Sequence, residues 1–200
     1  MKKREIDIFG MLLGLVIGCI LGFFLSSRIN LNEKPEDKPA ITEKGYVHLL
    51  QVAKVEEPSE AFKILEDLNK KGLKAVAVKK GNNSHYIYGG IALEEENLAS
   101  LAARYLDHGI HTIVVKEYLL DKLNSVIEND EECEFWSECI NNLLNSLEDK
   151  EVEVSPKYAL NRKYPEVLVV ISFLKEDYDS ESTLLLLQLD AYRLIVETLA

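Results

Sequence analysis

Tyr46-Val47-His48-Leu49-Leu50-Gln51-Val52-Ala53-Lys54-Val55 decides the fold: a run this rich in apolar, aromatic and β-branched residues, stopped by Glu56-Glu57-Pro58, reads as a strand. Pro58 and Ser59 then open a helix in which Ala61, Ile64, Leu65 and Leu68 recur at helical spacing, and Gly72 closes it. Leu73 to Lys79 reads as a second strand, Gly81-Asn82-Asn83 as a turn, and His85 to Ala92 as a third strand that completes a hairpin. Leu98, Leu101, Ala102, Tyr105 and Leu106 form the next helical stripe, Gly109 ends it, and Ile110 to Val115 reads as a fourth strand. This βαββαβ order predicts an α+β domain over residues 45–116. Its single antiparallel sheet carries both helices on one face and leaves the other open.

Toward the C-terminus, residues 117–200 read as a helical region. Tyr118, Leu119, Leu123, Val126 and Ile127 make one apolar stripe, and Phe135, Trp136, Ile140, Leu143, Leu144 and Leu147 make another, as in an α-hairpin. Residues 165–175 are open between strand and helix: Val167-Leu168-Val169-Val170-Ile171 is β-branched, while Pro165 suits a first helical turn. Leu184 to Leu199 reads as helix. Both final segments are apolar around much of their circumference, so they should bury against the earlier helices or against a second chain.

Toward the N-terminus, Ile8 to Leu25 carries no charge and, at about 1.5 Å per helical residue, reaches about 27 Å, close to the hydrocarbon thickness of a bilayer. The run is longer than the apolar region of a cleavable signal, so residues 1–28 are expected to hold a transmembrane helix in contact with lipid. Lys2, Lys3 and Arg4 precede it and Arg28 follows, which places the N-terminus in the cytoplasm and the remaining domain outside the cytoplasmic membrane. Gly10, Gly14, Gly18 and Gly22 recur every four residues, a bare stripe that predicts homodimer formation through helix association in lipid. Residues 29–44, with Pro35 and Pro39, read as a polar linker.

The chain has a net charge of −11, and its first residues are basic, so the remainder is more acidic still. That excludes a nucleic-acid partner, which needs a basic face. Cys133 and Cys139 lie too far apart on one helix to bridge, and they have no neighbouring histidines for zinc. His48, His85, His108 and His111 fall into no ligand or acid/base spacing, and no nucleophile elbow or phosphate loop is present. No cofactor, no metal and no enzymatic activity are expected.

Across 46–115 the order of elements resembles the SPOR (sporulation-related repeat) domain of membrane-anchored bacterial envelope proteins. Tyr46-Val47-His48-Leu49-Leu50-Gln51-Val52 resembles that family's first strand with its surface glutamine. Ala61 to Gly72 is similar to its first helix, Tyr86-Ile87-Tyr88-Gly89-Gly90 to the opening of its second repeat, and Ala99 to Gly109 to its second helix. Strand alternation puts Tyr86 and Tyr88 on one face and Ile87 on the other, so the tyrosines are expected on the open face. The resemblance implies that Gln51 joins them there and that the trio binds peptidoglycan glycan strands stripped of stem peptides, in division, sporulation or wall remodelling. Aromatic rings stack on sugar C–H faces, and amide and phenol groups hydrogen-bond hydroxyls. Ala53, Val55 and Ala92 stand where the family has glycine or aromatic residues. They favour an alternative, a non-enzymatic membrane scaffold whose SPOR-like fold and C-terminal helices bind an envelope protein partner.

Overall fold

A computed structural model describes residues 45–200, apart from 82, 122, 124–128, 159–162, 177, 179 and 200. The chain divides into Met1–Lys38 and Pro39–Ala200, and every described residue belongs to the second unit. Among the described residues its strands and helices include β1 (Tyr46–Val55), α1 (Pro58–Lys70), β2 (Val76–Lys80), β3 (Ser84–Ala92), α2 (Ala99–Asp107), β4 (Ile113–Tyr118), α3 (Asp130–Leu147), α4 (Pro165–Phe173) and α5 (Glu181–Thr198). Short 3-10 turns at Glu95–Leu98 and Pro156–Tyr158 lead into α2 and lie between α3 and α4.

Local chemistry explains the helix boundaries. Pro58 opens α1 without losing a hydrogen bond, since the first-turn N–H groups have no intrahelical partner. Gly72 and Gly109 take the left-handed conformation (φ +72° and +73°) just past α1 and α2. The reversed backbone lets Leu73 N–H reach Leu68 O and Ile110 N–H reach Tyr105 O, satisfying carbonyls the helices leave open. In α4 the proline's preference for a first helical turn prevails over the β-branched run behind it.

The four strands form one antiparallel sheet in the spatial order β2-β3-β1-β4. Leu50, Ile87 and Ala92 bury one face against Ala61, Leu68, Leu98 and Tyr105 of the segments carrying α1 and α2. Val47, Leu49, Val78, Tyr88 and Ile91 bury the other face in a larger core with Trp136, Ile140 and Leu143 of α3, Val167 and Ile171 of α4, and Leu189, Tyr192 and Val196 of α5.

Two expectations are corrected here. The expected sheet with one open face is not what forms: the strands take the spatial order β2-β3-β1-β4, and α5 packs across β2 and β3. The physical reason is that α5 is apolar on most sides and the sheet face supplies the surface that buries it, while α4 packs on α3 and α5. The expectation of a single-pass protein of the cytoplasmic membrane is not supported either, since no helix among the described residues is long and apolar enough to cross a bilayer. The expected span, its Gly10, Gly14, Gly18 and Gly22 stripe and the 29–44 linker lie outside the described residues.

Candidate functional site

The sheet positions the three residues singled out from sequence, but it does not present them equally. Tyr86 and Tyr88 share a face of β3, as alternation requires, with rings stacked at 6.3 Å between centroids. Tyr88 is only 1% exposed. The Tyr192 ring of α5 meets it edge-on at 5.8 Å, so Tyr88 is a core residue and not part of an open surface. Tyr86 and Gln51 are half-buried. Gln51 pairs with Tyr88 on one side and with Ile113 of β4 on the other.

A bulge in β1 decides what lies beside them. The register against β3 shifts between Leu50 and Gln51 and again between Gln51 and Ala53. The extra residue turns Val52, Ala53 and Val55 toward the α1 and α2 core and brings Lys54 onto the tyrosine face. Lys54 is exposed, and its ammonium lies 5.1 Å from the centroid of Tyr86. Along the regular β4, Ile113 shares a face with Glu117, which reaches under α5, so Ile113 also belongs to the tyrosine side. It is 59% exposed. Gln51, Lys54, Tyr86 and Ile113 therefore form a strip beside the part of the sheet that α5 covers. Lys54 and Ile113 escaped sequence reasoning: simple alternation puts Lys54 on the wrong side of the bulge, and β4 runs later than its apolar residues suggest.

Under α5 the same face holds a polar cluster. Lys80 donates to the Tyr88 hydroxyl at 2.8 Å, to the Tyr192 hydroxyl at 2.6 Å and to the Glu117 carboxylate. Tyr192 donates to the same carboxylate. The Lys80 ammonium also lies 4.8 Å from the Tyr88 ring centroid and 5.2 Å from that of Tyr192, a cation surrounded by aromatic faces. Burial, followed by the Glu117 charge, drives both phenol pKa values well above their ordinary value. This cluster fixes α5 to the sheet. Glu197 adds a second tie by accepting the Lys79 backbone N–H of β2 at 2.8 Å.

A separate groove of about 670 Å³ runs between α3 and residues 151–156. Several of its polar groups hold that segment in place. Asn142 donates to Glu153 O at 2.8 Å and accepts from Glu153 N–H at 3.2 Å, and Glu138 accepts from Ser155 N–H at 2.6 Å.

No protein-family model matches the chain, and no curated protein matches it. Among solved structures it is similar to the solution structure of the peptidoglycan binding domain of the B. subtilis cell wall lytic enzyme CwlC. That similarity has 21% sequence identity and a TM-score of 0.34, and covers 38% of this chain and 95% of the other.

Proposed function

We propose that this chain is a non-enzymatic protein that binds peptidoglycan glycan strands through the sheet strip of Gln51, Lys54, Tyr86 and Ile113, in division, sporulation or wall remodelling. The observation that carries the reading is the strip itself. It combines an aromatic ring, an amide, an ammonium and an exposed aliphatic side chain on one partly exposed stretch of the sheet face, a set suited to a hydroxyl-rich polymer. The resemblance of 46–115 to the SPOR domain supports the choice of polymer. The contact set differs from the one implied by that resemblance, because Tyr88 supports α5 and the ligand meets Tyr86 and Gln51. Co-sedimentation with purified sacculi tests the proposal: wild type should pellet with the wall, and Tyr86→Ala with Gln51→Ala should lower retention about tenfold, the equivalent of about 1.4 kcal/mol. Equal retention of wild type and variant, or none by wild type, contradicts it.

A second reading, a scaffold for a protein partner, is favoured by α4. Val169 and Phe173 lie one turn apart on that helix and are half exposed. Photo-cross-linking from position 173 in intact cells would favour this reading if it captured one defined protein while Tyr86→Ala left wall binding unchanged.

A further inference from the structure

On the opposite face of the sheet, beyond the reach of α1 and α2, the start of β1 and the end of β4 place four polar-aromatic side chains together. Tyr46 pairs with Tyr118 and His48 with Lys116 across the two strands. Val47, between the first two, is fully buried toward α3 to α5, so alternation turns Tyr46 and His48 away from that core. None of the four belongs to the core packed against α1 and α2.

The group is preorganised. Tyr46 and Tyr118 meet edge to face at 5.7 Å, and His48 meets Tyr46 in the same manner at 5.6 Å. The His48 ring is held by Nδ1–H donating to Leu93 O at 2.8 Å, which leaves Nε2 as its second polar atom. The Lys116 ammonium lies 3.5 Å from the centroid of Tyr46 and 5.5 Å from that of Tyr118. Lys116 is exposed and has no carboxylate partner among the described residues, in a chain with 34 acidic side chains to offer. Tyr118 is 52% exposed.

We infer that Tyr46, Lys116 and Tyr118 form a second carbohydrate-contact site, which takes an acidic sugar residue: the exposed Tyr118 ring stacks on the sugar, and Lys116 receives its carboxylate. Charge complementarity selects this ligand: one carboxylate on a sugar ring matches the one exposed ammonium that lies over two aromatic rings. The inference rests on the glycan-binding reading and narrows it, because muramic acid in a stripped strand carries one free lactyl carboxylate where the stem peptide was attached. Gln51 is five residues from Tyr46 along β1, about 17 Å of strand, so the two sites engage separate segments of a polymer.

Isothermal titration of the full chain with stripped glycan strands, native or with their carboxylates reduced to alcohols, tests this. Wild type should bind the reduced strands about fivefold more weakly than the native ones. Lys116→Gln should show that loss on native strands and no further loss on reduced ones, and Tyr118→Ala should weaken both. Near-UV circular dichroism matching wild type would exclude a folding effect. If Lys116→Gln and Tyr118→Ala bind native strands as wild type does, the second site is overturned while the first stands. If wild type binds neither strand, the glycan-binding reading itself fails and takes this site with it.

Discussion

Gly89 and Gly90 show how closely α2 approaches β3. A Cβ on Gly89 would lie 2.1 Å from the Tyr105 hydroxyl and 2.4 Å from its Cζ, and one on Gly90 would lie 2.6 Å from Leu101 Cδ2. Tyr105 has no room to yield, since it is fully buried and its hydroxyl donates to Lys74 O at 2.7 Å. Gly89→Ala should therefore destabilise the fold by about 1 to 3 kcal/mol, the usual cost of overpacking, as a lower urea midpoint. Burial also pushes the Tyr105 phenol up to about 12. In the unfolded chain a tyrosine ionises near pH 10, so this group's contribution is complete below about pH 10 and is lost as the pH rises from there through 12. Tyr88 and Tyr192, raised for the same reason, act in the same direction. Urea unfolding should accordingly show stability level between about pH 7 and 9 and falling above about 10. A flat profile to about pH 12 would contradict the burial of these phenols.

Helix α5 is the element that distinguishes this sheet from one with a free face. It is joined to β2 and β3 by apolar packing and by the Lys80, Glu117 and Tyr192 cluster. The Lys80 and Glu117 side chains are only 18% and 15% exposed, so solvent compensates little for the loss of either partner. Lys80→Ala should cost on the order of 3 kcal/mol, and Lys80→Met with Glu117→Leu should recover most of it. Equal thermal melts for wild type and Lys80→Ala would show that the cluster does not fasten the helix. Much at this scale was legible in the sequence. The strand and helix alternation, the two glycine helix stops and the burial of the final apolar helices follow from period and capping chemistry. The β1 bulge was not legible, since nothing in Gln51-Val52-Ala53 marks an extra residue. Nor was the destination of α5: an all-round apolar helix announces that it will be buried, not which surface will bury it.

At the scale of the molecule, the two halves of the described unit share one core. Val47, Leu49 and Tyr88 of the sheet belong to the same buried cluster as Trp136, Ile171 and Ile195. Truncation after Ser180 should therefore uncover Val78 and Tyr88 and abolish cooperative unfolding, rather than release a folded sheet domain. A sharp two-state melt for that truncated protein would contradict this. The candidate site is correspondingly only partly legible. Gln51 and Tyr86 were singled out from strand pattern and resemblance, whereas the burial of Tyr88 depends on a helix about 100 residues away in sequence, a separation no local pattern encodes. The most direct measurement is backbone amide NMR of the full chain titrated with stripped glycan strands. Shifts should concentrate at Gln51, Lys54, Tyr86 and Ile113, with a second group at Tyr46, Lys116 and Tyr118, and α5 should stay unperturbed. Saturating glycan that moves none of the strip residues, or that shifts only α4, would contradict the proposed function.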